Sequence, residues 1–130
     1  MQKVLLISLL VLSQQAQAQV IDGKALFAKN CAACHQVSGT GIQGAFPALK
    51  GNAYVQGDAA AVIGTVLKGR GGMPMFASSL DDVNLTLVIN YIRQAWGNKG
   101  LPLHAEEVQT VRNQSGAGDV VEQANLTTVH

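Results

Sequence analysis

The chain has 130 residues, nine Lys plus Arg against eight Asp plus Glu, and only 5% aromatic residues. So balanced a charge excludes the strong basic excess of a nucleic-acid binder, and the length is that of one domain with a small core. With so few aromatics, that core is short of bulky apolar groups.

Residues 1–18 have the pattern of a signal peptide. Lys3 supplies a positive start, Val4–Leu12 is an almost unbroken apolar run, and Ala16-Gln17-Ala18 puts small residues at a cleavage site. The run is too short to span a bilayer, so no transmembrane anchor is expected after cleavage. No cysteine follows the cleavage site, which removes lipid anchoring by that route. The expected mature chain starts at Gln19 and is exported, with the bacterial periplasm as its compartment. The domain expected there covers residues 19–112, and 113–130 form a polar tail without clear period.

Asp22–Ala33 reads as a first helix, with Asp22 as its cap and Leu26 and Phe27 as apolar positions. Cys31-Ala-Ala-Cys34-His35 follows and holds both cysteines of the chain. C-x-x-C-H is the attachment signature for c-type haem. Two thiols add across the vinyl groups of one porphyrin edge, and the adjacent imidazole of His35 points at the iron. A C-x-x-C pair also serves as a redox dithiol, a disulfide or half of a zinc site. The zinc reading lacks a nearby fourth ligand, because only His104 and His130 remain, and both read as surface residues. The dithiol reading lacks the strand-rich context of a βαβ unit.

Residues 36–57 are rich in glycine, contain Pro47, and read as loop. A second helix is expected from about Ala59 to Lys68, between the cap Asp58 and the stop Gly69. Its apolar face is Val62, Ile63, Val66 and Leu67. The next loop holds Gly-Gly-Met73-Pro74-Met75-Phe. Either methionine offers a thioether, and a His/Met pair fills both axial positions of a haem and favours ferrous iron. The alternative for a methionine is core filler. A third helix covers about Asp82–Trp96, capped by Ser79 or Asp81, with Leu85, Val88, Ile92 and Trp96 at helical spacing. Pro102 breaks the chain, and Ala105–Arg112 reads as a short helix. No stretch shows useful β-alternation.

Charge is divided along the chain. Asp22–Leu80 carries five bases and two acids, whereas Asp81–His130 carries three bases and six acids. Such asymmetry can orient a partner, although a solvated surface is the ordinary reading.

Taken in order, Gly-Lys-Ala-Leu-Phe, Cys-Ala-Ala-Cys-His, Phe-Pro-Ala-Leu-Lys-Gly, Gly-Gly-Met-Pro-Met-Phe and Val-Ile-Asn-Tyr-Ile-Arg resemble the class I cytochromes c over about Ile21–Asn98. The resemblance is to the small single-haem bacterial carriers and to the cytochrome subunits of dehydrogenases and oxidases. It implies an all-α fold, with three main helices and Gly-rich loops around one covalently bound haem. It implies thioethers at Cys31 and Cys34, His35 as proximal ligand, and Met73 rather than Met75 as the second. It also implies that the Pro47 carbonyl accepts from His35 Nδ1–H, that Leu49 packs near the ring, and that Gly23 and Phe27 meet Val88 and Tyr91 where terminal helices cross. The function implied is one-electron transfer in a respiratory chain, by a carrier and not an enzyme, between redox proteins such as a periplasmic dehydrogenase and a terminal oxidase. A haem enzyme or gas sensor is the alternative, and it needs a displaceable sixth ligand.

Overall fold

Asp22, Asp58 and Asp81 each stand one residue before a helix, and each carboxylate accepts from a backbone N–H of the first turn. Those N–H groups have no partner within the helix, so the aspartates satisfy orphan donors and face the positive end of the helix dipole. The computed structural model describes residues 21–116. In chain order its helices are α1 (Gly23–Asn30), α2 (Ala32–His35), α3 (Ala53–Gln56), α4 (Ala59–Lys68), α5 (Asp82–Gln94) and α6 (Ala105–Gln114), with a 3₁₀ turn at Ala95–Gly97. The fold is all-α. Strand-like pairing among the described residues is confined to two isolated bridges, Ile42 with Phe46 and Arg70 with Met73. The expected leader, the residues from 117 onward and His130 lie outside the described residues.

Several elements depart from the expectation. The first helix stops at Asn30, because Cys31 leaves helical geometry and α2 restarts as a separate turn carrying Cys34 and His35. The Asn30 side chain donates to the Leu26 carbonyl at 2.9 Å, in local competition with the helix ladder. Within the stretch expected to be loop, Asn52 accepts from the N–H groups of Tyr54 and Val55 and so starts the single turn of α3. The long helix α5 stops at Gln94 because Trp96 turns left-handed, at φ 55° and ψ 26°. That turn directs its indole N–H to the Val37 carbonyl, 3.1 Å away.

The core forms where α1 crosses α5 and where α4 and α6 pack beside α5. Phe27, Ile63, Leu67, Leu85, Val88, Ile89 and Val108 are fully buried. At the α1–α5 crossing Gly23 lies directly on the partner backbone. A Cβ at that position would sit 2.2 Å from the Leu87 carbonyl oxygen and 2.8 Å from Tyr91 Cβ. Tyr91 is the expected neighbour; Leu87 supplies the closest atom. One turn along, Phe27, Tyr91 and Trp96 stack with ring centroids 5.1–5.5 Å apart, in tilted and edge-on arrangements that suit the aromatic quadrupole.

The helix expected at Ala105–Arg112 runs on to Gln114, two residues past the expected domain boundary. Val108 and Arg112 face inward on it, and Leu103 is buried just before it. The buried Arg93 on α5 donates to three carbonyls, those of Val55, Gly57 and Leu101. Buried guanidinium groups need such partners, since an unpaired one is strongly unfavourable.

Candidate cofactor site

The site is built on one turn and two loops. Cys31 and Cys34 are unpaired and half-buried at the two ends of the first stretch of α2, with His35 N–H and Cys34 N–H both donating to the Cys31 carbonyl. Burial, and secondarily the neighbouring Cys34, push the Cys31 thiol up to about 11. A redox dithiol needs the opposite shift, toward thiolate, so the dithiol reading finds no support here. No group of three or more His, Cys, Asp or Glu side chains suited to a metal ion exists among the described residues. The exposed His104 starts α6 instead, its backbone N–H donating to Glu107.

His35 is buried, and its Nδ1 lies 2.9 Å from the Pro47 carbonyl oxygen. A carbonyl can only accept, so this contact puts a ring proton on Nδ1, and Nε2 is the nitrogen whose lone pair the neutral imidazole offers. The imidazole is thus fixed in both tautomer and orientation. Gly41 makes the approach feasible. Its φ is +62°, and a Cβ there would lie 2.4 Å from the Phe46 oxygen and 2.6 Å from the Pro47 oxygen. Leu49, half-buried against the core, donates its N–H to Gly39 and closes the same loop. Asn98, beyond the 3₁₀ turn, holds this loop from outside. It accepts from Gly51 N–H at 2.8 Å and donates to the Leu49 and Ile92 carbonyls at 3.0 and 2.9 Å.

The second loop leaves α4 at Gly69, whose φ of +74° and missing Cβ let the Met73 carbonyl fold back to within 2.4 Å of where a Cβ would stand. Met73 N–H donates to Arg70, and Phe76 N–H returns to the Val66 carbonyl of α4 at 3.1 Å. This bracing separates the two methionines. Met73 is half-buried against the core, whereas Met75 is 66% exposed. Tyr54 ties α3 to α4 through Ala61 and Thr65, and the Arg70 guanidinium lies over its ring.

Ile42, Phe46, Tyr54 and Met75 are large apolar groups left exposed on these loops and on α3. Ile42 and Phe46 belong to the same loop as the Pro47 carbonyl, and exposed apolar groups on the loop that orients a buried imidazole suit a flat apolar group with a metal centre.

Comparison with known proteins gives the same direction. Residues 18–92 match the family described as cytochrome C oxidase, cbb3-type, subunit III. Cytochrome c-552 of Thermus thermophilus is 37% identical over 128 residues, which covers 82% of this chain and 84% of that protein. The chain is a member of the class I cytochrome c family. It is also 31% identical over 103 residues to the cytochrome c subunit of a quinone alcohol dehydrogenase from Gluconobacter oxydans, covering 69% of this chain. To subunit CcoP of the cbb3-type cytochrome c oxidase from Azospirillum brasilense it is 34% identical over 84 residues, or 59% of the chain. The chain spans only 22% and 28% of those two larger proteins.

Membership in the cytochrome c family implies covalently bound haem c and haem-based electron transfer. The residues present fit that group: the thiols are unpaired, Nε2 of His35 is the ring nitrogen left for a metal, and Ile42 and Phe46 on the loop that orients His35 are exposed apolar groups. No helix among the described residues is long and apolar enough to cross a membrane.

Three contributors to the site lay outside the sequence expectation. Asn98 and Trp96 hold the proximal loop from the end of α5. Arg112 reaches the turn that ends the methionine loop. The two arginines carry a signal in hindsight. Arg93 continues the buried four-residue series Leu85, Ile89, and Arg112 stands four residues after the buried Val108. A charge on an apolar stripe marks a buried, partnered group.

Proposed function

We propose that this cytochrome is a one-electron carrier holding a single haem c through thioethers at Cys31 and Cys34, with His35 and Met73 as axial ligands. The observation that carries the reading is the hydrogen bond from His35 Nδ1 to the Pro47 carbonyl, which presents Nε2 as the ligand nitrogen. Such a contact orients a ligating imidazole and raises its basicity. Haem c supplies an iron that alternates between ferrous and ferric states. The chain's own residues determine how easily it does so.

A thioether opposite an imidazole closes the sixth position to small molecules and favours the ferrous state. Gly69 and Pro74 hold the Met73 segment in one shape, which supports a weak ligand of this kind. Leu49, Phe46 and Ile42 exclude water from the neighbourhood of the ring. No proton transfer is required of any side chain, and the protein's role is binding, tuning and docking.

The charge asymmetry is sharper at the surface than along the sequence. Lys24, Lys29, Lys50, Lys68 and Arg70 are all exposed, whereas Arg93 and Arg112 of the acidic half are buried. This supports electrostatic orientation toward an acidic partner face. We read residues 1–18 as an export signal and the periplasm as the site of action. The partners are redox enzymes of the dehydrogenase or oxidase type that the relatives' names carry, with the cytochrome acting either as a free carrier or as a subunit.

The test is ligand replacement in the holoprotein. Met73→Ala abolishes the sulfur-to-iron charge-transfer band of the ferric form and opens the ferrous form to rapid carbon monoxide binding; Met75→Ala leaves both unchanged. Loss of the band only in Met75→Ala overturns the ligand assignment. Rapid carbon monoxide binding by the unaltered protein would move the function to a gas-binding or catalytic haem.

A further inference from the structure

We infer that Arg112, on the last described helix, is a positioning residue for the methionine loop, and that α6 acts as a strap on the distal ligand. The inference rests on Met73 being that ligand. After Met73 the chain returns to α4 through Phe76, makes a tight turn in which Ser79 and Leu80 N–H groups donate to the Phe76 carbonyl, and enters α5 at Asp81. Two carbonyls of this turn, Ala77 and Leu80, point inward and find no backbone donor there. Arg112 supplies both: Nη1 donates to Ala77 at 2.5 Å and Nη2 to Leu80 at 2.7 Å. Its Nε bonds Asp82 Oδ1 at 2.7 Å, the one ion pair among the described residues.

Arg112 is 5% exposed, and Ala77 and Leu80 are equally buried. Each acceptor would be left unsatisfied away from water if Arg112 were removed, and Asp82 would keep a half-buried, unpaired charge. The cheapest relief is for the 76–80 turn to swing toward solvent. Met73 stands only three residues before that turn; its segment is held by Gly69 and Arg70 at one end and, at the other, by the Phe76 N–H bond to the Val66 carbonyl and by the turn itself. Arg112 therefore braces that second end together with the Phe76–Val66 bond. It touches neither ligand nor ring, and acts on the sulfur through the backbone of residues 74–80.

A side chain that merely stabilised the fold would lower global stability without changing the competition for the sixth site. The experiment titrates ferric holoprotein with imidazole and follows the sulfur-to-iron band, for the unaltered chain, Arg112→Lys, Asp82→Asn and Val108→Ala. Val108→Ala removes α6 packing but no bond to the turn. Arg112→Lys keeps charge but cannot span two carbonyls and a carboxylate at once. The expected result is an imidazole affinity at least tenfold higher in Arg112→Lys, a smaller rise in Asp82→Asn, and no change in Val108→Ala even where it lowers the global unfolding midpoint. Equal effects in Val108→Ala and Arg112→Lys at matched stability overturn the inference, as does unchanged imidazole affinity in Arg112→Lys. Met73→Ala, run alongside, separates the two claims. If it retains the band, the ligand assignment has failed; if it loses the band while Arg112→Lys matches the unaltered chain, only the strap has failed.

Discussion

Gly23→Ala tests the α1–α5 crossing, and elementary propensity opposes geometry in it. Alanine in a helix is favoured over glycine by about 1 kcal/mol, so a loosely packed crossing would be stabilised by the change. Here the new methyl would stand 2.2 Å from the Leu87 oxygen and 2.9 Å from its carbonyl carbon, and both are backbone atoms that no rotamer change can move. The helices must separate by about 1 Å before the contact becomes an ordinary one. Separation also pulls Phe27 away from Tyr91 and Trp96, whose centroids are 5.1–5.5 Å from it. Overpacking of this kind costs about 3 kcal/mol, at the upper end because backbone must shift, and losing ring contacts adds about 1 kcal/mol. Against the propensity gain, the net destabilisation is about 3 kcal/mol, which lowers Tm by roughly 12–20 °C in a domain of this size.

Gly64→Ala provides the contrast. It lies within α4, and nothing stands within 4 Å of its missing Cβ, so the same substitution stabilises by about 0.5–1 kcal/mol. Denaturant titration of both holoproteins, followed by far-UV circular dichroism, reads the difference. Stabilisation by Gly23→Ala would refute the crossing geometry, and destabilisation by Gly64→Ala would refute the open space assigned to α4.

Other outcomes follow from the site. Gly41→Ala displaces the Pro47 carbonyl from His35 Nδ1, and losing a hydrogen bond of about 1–1.5 kcal/mol that favours ferric iron raises the potential by up to about 60 mV, read by potentiometric titration; a fall would contradict the role given to that bond. Asn98→Ala strips partners from Gly51, Leu49 and Ile92 and costs about 2–3 kcal/mol, whereas a change under about 0.5 kcal/mol by chemical denaturation would show the bracket to be dispensable. In the haem-free chain Cys31 has its thiol raised from 9.0 to about 11, so folding favours the neutral form. Its contribution is complete below pH 9.0 and is lost as pH rises through about 11; Cys31→Ala should flatten that part of a stability-against-pH curve, and an unchanged slope would contradict the burial of the thiol.

Much of this arrangement was legible in the sequence where the signal was local. An aspartate before an apolar period marks a helix start wherever it occurs: Asp22 and Asp58 do so without reference to the fold, and of the two candidates Ser79 and Asp81 the structure selects Asp81. The C-x-x-C-H turn likewise carries its chemistry in five consecutive residues. Single-turn and long-range features were harder. α3 is too short to show a period, so only the Asn52 cap could have hinted at it. Trp96 continues the apolar spacing of α5, yet its indole is claimed by Val37, 59 residues away in sequence. The partners of Arg112 lie 30 to 35 residues before it, beyond the reach of any local pattern. Residue identity leaves Met73 and Met75 open as ligand, and the family resemblance favours Met73; the structure adds that Met73 is half-buried against the core and Met75 is exposed.

The two loops around the site hang from different supports. The loop after His35 is tethered by Trp96 and Asn98 at the end of α5, whereas the methionine loop is tethered by α4 and by Arg112 of α6. Separate tethers make separate units of local opening, and amide exchange in such a chain follows the weaker unit first. The two loops therefore have separate latches. With His35 and Met73 as the proposed ligands, opening of the methionine loop would leave the imidazole held by its own tether.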